Sequence, residues 1–459
     1  MPLYVFAYPC NLRFTRYFSA KNTTCLKYES DPFLLIFLIS RLLVIACLFL
    51  TWSVTASAQH LEEKHNFSDE FFQEETLTGN WNGLRTRLAD QGWAMETEYN
   101  GHLFHNPLGG IRRQTDYAGF LDIELNANLE RIIGWPNARV LVDLIQLHGT
   151  EPSKNLGTVQ TVSNQEGPSQ FKIFLGWIEQ TFWEKRASLR VGIYSLDTEF
   201  DFKDSANLFI NGVFGTGLDL SETGVTGPAI FPNPALGARI YLKPVESWYL
   251  QAAVLDGIPG DPNDATGTHI HLGGGDGYQV VAEGGYAETA KGGRQAKAAV
   301  GSLIYTTDLP DLTDVDLKGN PITRSGTFSL YGFADWPVTF ETSDLAQGLN
   351  LFFRMGMADP DVAHFKFTLT GGAVYTGIFP GRTRDKLGFG FSGAWNGDKY
   401  KTSQGGNIEN NEWVIEANYK MFLTPGLEVQ PNLQYFINPG SNPSLGNAFY
   451  LGMAFSLSF

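Results

Sequence analysis

Beyond Cys47 the chain contains no cysteine: its three, Cys10, Cys25 and Cys47, all fall near the start of a 459-residue sequence. Whatever folds after them does so without disulfides and without thiolate metal ligands. Nor does any apolar run after residue 58 approach the ~20 residues that a membrane-spanning helix needs, which excludes a helical-bundle membrane protein. Basic charge is scarce too. Five of the 33 Lys and Arg and two of the 48 Asp and Glu precede residue 59, leaving 28 against 46, a charge of −18. That balance is a poor partner for nucleic acid. No repeat of fixed period occurs, which argues against a propeller or solenoid, and no nucleophile elbow or comparable catalytic motif is found.

What is present is alternation. The sequence ends "NAFYLGMAFSLSF", with Phe449, Leu451, Met453, Phe455, Leu457 and Phe459 at every second position against Ala448, Tyr450, Gly452, Ala454, Ser456 and Ser458. On a strand this separates one greasy face from one of small or polar groups. "DYAGFLDIELNANLE" does the same, with Leu121, Ile123 and Leu125 opposing Asp122, Glu124 and Asn126. So do "NEWVIEANYKMFL" and "GLEVQPNLQYF", although Pro431 on the apolar side of the latter suits only a strand end or a bulge. Comparable runs number sixteen, at 92–104, 116–130, 137–148, 171–184, 187–196, 235–243, 248–255, 278–287, 296–306, 326–336, 349–357, 364–375, 386–396, 411–423, 426–437 and 447–459. Connections after even-numbered runs include the short "RIIGWP", "KR", "PVES" and "TPG". Those after odd-numbered runs include the long 149–170, 197–234, 256–277 and 307–325.

A soluble sandwich has no need of sixteen strands in this rhythm. An all-β transmembrane antiparallel barrel does, with short periplasmic turns, long outer loops, an even strand count and an aqueous channel. The expected organisation is an N-terminal extension and signal peptide at 1–58, an acidic leader and short amphipathic helix at 59–91, and the barrel at 92–459. Within the first segment Arg41 supplies the positive flank, Leu42 to Leu50 the apolar core, and Ala56 and Ala58 the small residues of a cleavage site. An uncleaved anchor over 33–52 is the competing reading, with Arg41 in its middle. Trp81, Leu84 and Leu88 sit at helical spacing, and Gly92 can stop the turn.

Several segments, in order, resemble the carbohydrate-selective porins of the OprB family: "LTGNWNGLRTRLADQGW", "LERIIGWP", "LRVGIYSLDTEFDFKDSANLFINGVFG", "NPALGARIYLKP", "WYLQAAVLDGIPGDP" and "LTPGLEVQPNLQYFINPG", with the terminal Phe459. The resemblance implies a monomeric barrel in the bacterial outer membrane that passes sugars such as glucose by diffusion. It implies no cofactor, outer-membrane lipid around the wall, and a Phe459 similar to the signal read by the barrel-assembly machinery. The leader before Leu77 departs from the family pattern.

A sugar path needs hydrogen-bonding and aromatic side chains that point inward. By parity these are Glu96, Glu98, Glu124, Asn126, Arg190, Arg239, Glu416, Gln430 and Asn432, while Trp177 and Glu179 share a face in a run apolar on both sides. The plainer reading is that each solvates a channel wall. Arg190 and Arg239 are expected to face Glu124. The segment "ANLFINGVFG" in 197–234 is too apolar for an exposed tip and either folds into the barrel, flanked by Asp197, Glu199, Asp201 and Lys203, or lies over its mouth. "HIHLGGGDGY" brings His269, His271 and Asp276 together, but without the fixed third ligand of a metal centre, so no metal is expected. The function is therefore expected to be passive sugar transport and not catalysis; the alternative is an outer-membrane barrel hydrolase.

Overall fold

The computed structural model describes residues 76–459 apart from 271, 272 and 274, so the signal-peptide reading of 1–58, with Ala56 and Ala58, most of the leader, and His271 lie outside the described residues. The chain enters through a 3-10 turn at Trp81–Gly83 and a helix, α1 (Leu84–Asp90), ended before Gly92, whose φ of 93° suits glycine. Strands follow: β1 (Trp93–Leu108), β2 (Thr115–Asn128), β3 (Ala138–Gly149), β4 (Gln170–Phe182), β5 (Ala187–Tyr194), β6 (Ala235–Val245), β7 (Trp248–Asp256), β8 (Tyr278–Thr289), β9 (Gln295–Tyr305), β10 (Leu309–Val315), β11 (Pro321–Arg324), β12 (Phe328–Pro337), β13 (Gly348–Ala358), β14 (Phe365–Thr376), β15 (Lys386–Asn396), β16 (Asn411–Thr424), β17 (Leu427–Ile437) and β18 (Ala448–Ser458). Among the described residues, sixteen of them close one antiparallel barrel in which β18 pairs with β1, Phe455 opposite Gly101 and Leu457 opposite Tyr99.

The remaining two, β10 and β11, form a separate hairpin inside the 307–325 connection. Sequence parity misses it because its strands are short and the apolar residues of β10, Leu309, Leu312 and Val315, fall at every third position instead of every second. Arg324 and Lys399 fasten it, each 2.7 Å from Asp311. Burial alone would push the Asp311 carboxyl up; Lys399, the Asp314 and Thr313 amides and Arg324 outweigh it and hold the group well below the usual carboxylate range. Pro431 also corrects the expectation: it lies inside β17, paired with Met453 on β18. On the β16 side the ladder skips from Asn418–Asn432 to Met421–Val429, so the missing proline N–H falls in that gap.

Leu189, Val191, Ile240, Leu351, Phe353, Met355, Leu451 and Met453 stand exposed on the outer face. Trp93, Trp135, Trp183, Trp248 and Trp336 are exposed at the short-turn end, a belt of amphipathic rings where the apolar band meets water.

The interior departs from the open aqueous channel expected of sixteen strands. Two long connections, 150–169 and 195–234, fold inward and bury an apolar core inside the barrel. Phe209 and Phe214 stack at 4.3 Å and meet Phe352; each such ring contributes about 1.5–3 kcal/mol on burial. The wall beneath them is bare by necessity: a Cβ on Gly390 would stand 2.6 Å from Phe214 and 2.8 Å from Phe209.

Candidate functional site

The inward segment 195–234 is held by charge placed on the wall. Arg354 of β13, fully buried, reaches two of its carboxylates. Nε stands 2.7 Å from Asp201, and the two terminal nitrogens 2.5 and 3.0 Å from Asp219. Lys203, buried beside them, bonds Asp201 at 2.8 Å and the Gly215 carbonyl at 2.9 Å. Three wall carboxylates accept main-chain amides of the same segment: Glu283 from Asp201 at 2.8 Å, Asp335 from Ser205 at 2.7 Å, and Glu416 from Ile210 and Asn211 at 2.8 and 2.9 Å. A carboxylate accepting backbone N–H groups makes strong, directional bonds, so these fix the height as well as the presence of the loop.

This assigns positions to two candidates. Glu416 is buried beneath the loop, and Asn432 donates to it at 2.6 Å; both face inward but are covered. Gln430 likewise donates to the Leu208 carbonyl at 2.6 Å. Segment 150–169 is tied alongside: Asn164 N donates to Ile210 O at 2.7 Å, Gly212 N to Thr161 O at 3.0 Å, and Gln434 to Val162 O at 2.9 Å. Within it Glu166 accepts from Ser153 N at 3.0 Å, and burial pushes its carboxyl up to about 7 against that donor.

The remaining candidates make a rim below the shelf. Cross-strand pairing sets Arg139 beside Glu179, Glu179 beside Arg190, and Arg190 beside Arg239. Arg239 stands 2.8 Å from Glu179 and 2.7 Å from Glu199, which the inward loop supplies, while Arg190 lies 3.3 and 3.2 Å from the same two acids. The Arg190 guanidinium sits 3.9 Å over the Trp177 ring, which is thereby buried. Both members of the ambiguous pair, Trp177 and Glu179, are thus on the inner face. The expected pairing with Glu124 does not occur: Glu124 lies on β2, where Asn126 donates to it, and the arginines are neutralised by Glu179 and Glu199 instead. Parity identifies the wall but cannot foresee that a loop acid returns to it. Opposite pairs Glu96–Glu124 and Glu124–Asp143 make the neighbouring wall acidic.

Below the shelf a cavity of about 620 Å³ is lined by the arginine rim and Tyr241; above it lies one of about 440 Å³, and beside the β1–β18 seam a third of about 190 Å³. Sequence reasoning missed Arg354, Glu283 and Asp335, although each alternates with apolar neighbours and so was visible by parity. At the short-turn end the Phe459 main chain is clasped, its N–H bonding Thr97 O at 2.9 Å and its oxygen accepting from Arg85 at 2.6 Å. His269 lies 3.5 Å from Asp264 and bonds the Thr266 carbonyl.

Comparison with known proteins agrees with this architecture. The chain is 23% identical to Porin B of Pseudomonas aeruginosa over 456 residues, covering 90% of this chain and 97% of that one. The high-pH structure of Pseudomonas putida OprB superposes with a TM-score of 0.75 at 22% identity, covering 84% of this chain and 99% of its own. The low-pH structure gives 0.56 at 17% identity, with 84% and 100% covered. A family model described as "Carbohydrate-selective porin, OprB family" matches residues 112–459, and the chain therefore belongs to that family.

Proposed function

We propose that this outer-membrane carbohydrate porin passes neutral sugars such as glucose by passive diffusion past the inward shelf, with Arg139, Arg190 and Arg239 presenting guanidinium edges to sugar hydroxyls. The observation that carries the reading is the rim of three arginines and two glutamates around a polar chamber of about 620 Å³. Alternating guanidinium and carboxylate groups suit a neutral polyol, since donors and acceptors are both plentiful. Glu124 and Asn126 continue that wall, Trp177 orients Arg190, and Glu416 and Asn432 hold the shelf at its height.

The chain is a channel and not an enzyme, as its family and fold are those of porins. Lipid meets the outer apolar band, and the assembly machinery reads the Phe459 strand. Purified protein in planar bilayers tests the function: added glucose should lower the ion conductance in a saturable way. Steady conductance indifferent to glucose would refute the sugar reading.

A further inference from the structure

Most amide side chains inside the barrel are already engaged. Asn126 serves Glu124, Asn432 serves Glu416, and Asn211 and Gln434 bond each other at 3.0 Å. Asn164 and Asn207 differ. Both are exposed to the lumen, and among the described residues neither side chain is taken up by another group.

Their position is equally distinct. Each lines both the outer chamber of about 440 Å³ and the inner one of about 190 Å³, so the two residues mark the edge where these meet. They come from different loops yet share one rigid shelf, because Asn164 N is bonded to Ile210 O at 2.7 Å. Asn207 rides on the 3-10 turn Ala206–Leu208, whose two end residues are buried. Its main chain is therefore anchored on both sides while its side chain is left to the passage. We propose that Asn164 and Asn207 form the hydrogen-bonding gate that selects the sugar at the top of the inner chamber, an inference that rests on the carbohydrate reading above.

The chemistry fits a hydroxyl-rich, uncharged ring. A primary amide offers two donors and a carbonyl acceptor, matching hydroxyls that also donate and accept, and it adds no charge that would hold a counter-ion. The chamber just inside has the volume of roughly six waters at about 30 Å³ each, the scale of one hexose unit. Gln165 also stands on the wall of that chamber.

The test is glucose titration of the conductance of Asn164→Ala, Asn207→Ala and the double variant in planar bilayers. Each single change should raise the half-blocking concentration by about 2- to 10-fold, the worth of one net hydrogen bond, and the double should exceed either. Half-block unchanged in the double variant, with wild type still blocked, would overturn the gate and leave the carbohydrate reading standing. Absence of block in wild type would remove both. Should the alanine variants assemble poorly, Asn207→Cys in the otherwise cysteine-free barrel gives an independent measure. A small thiol-reactive reagent should lower conductance and weaken glucose block, whereas indifference to the reagent after confirmed labelling would refute the position assigned to the gate.

Discussion

Arg354 is where the shelf is most vulnerable. Replacing it with Met keeps much of the volume but removes the fork that grips Asp219 and the Nε bond to Asp201. All three side chains are essentially without exposure, so solvent screening gives little relief. Removing one partner of such a buried pair costs about 3–5 kcal/mol. Asp201 keeps Lys203 at 2.8 Å, so the stranded charge is that of Asp219, helped by the Thr368 hydroxyl and, at 3.4 Å, by the Ser329 hydroxyl, and the lower end of the range applies. A loss of about 3 kcal/mol multiplies the undocked fraction of the loop roughly 150-fold. The barrel itself should persist, since its closure rests on the strand ladder and not on this residue. We expect normal folded yield, faster proteolytic cleavage within 195–234, noisier and larger single-channel conductance, and weakened glucose block. Adding Asp219→Leu to Arg354→Met removes the stranded charge and should recover much of the protease resistance. Cleavage and conductance at wild-type values in Arg354→Met would refute the reasoning.

Four further outcomes can be measured. Arg190→Ala opens the chamber of about 620 Å³ below the shelf and uncovers Trp177, while Glu179 and Glu199 keep Arg239; conductance should rise and glucose block weaken together, and unchanged values would mean the residue only solvates the wall. Phe459→Asp leaves the main-chain bonds to Thr97 and Arg85 possible, so a lost heat-modifiable folded band in outer-membrane fractions would be due to the side chain, and an undiminished band would dismiss its role as assembly signal. N-terminal sequencing of membrane-extracted protein should begin at Gln59; retention of Leu42 to Leu50 would show an anchor. The depressed Asp311 carboxyl contributes stability above its unfolded value of about 3.9, and that contribution is lost as pH falls through this range towards the lower folded value. Protection of the β10 and β11 amides, taken relative to the intrinsic exchange rate at each pH, should therefore fall between pH 5 and about 3, and protection equal at both ends would contradict the assigned ion cluster.

The barrel was legible because a strand with lipid on one side and water on the other repeats every two residues, and that pattern survives any loop. The closing strand shows it plainly: Leu451 and Met453 are exposed outward, while Ala448 and Tyr450 are buried inward. Parity placed Glu124, Arg190, Arg239, Glu416 and Asn432 on the inner wall for the same reason. It could not distinguish a wall residue left to the passage from one covered by a returning loop. Glu416 and Glu124 look alike in sequence, each an acid between apolar neighbours two residues from an asparagine, yet one is sealed under Ile210 and Asn211 and the other remains part of the acidic wall.

What separates them is contact across large sequence distances. Asp219 and Arg354 meet over 135 residues, Asn211 and Gln434 over 223, and neither partner carries a local sign of the other. A weaker sign did exist in the wall. In "KLGFGFSGAW" the outward positions Leu387, Phe389 and Phe391 keep their bulk, while the inward ones at Gly388 and Gly390 have lost theirs. A strand lining open water has no steric reason to give up two successive inward side chains, since polar groups are well solvated there. A strand against which Leu208, Phe209 and Phe214 are pressed has such a reason, because any Cβ would fall within 3 Å of them. Successive inward glycines opposite an apolar loop therefore argue for insertion over a lid, and they do so from the sequence of the wall and not of the loop.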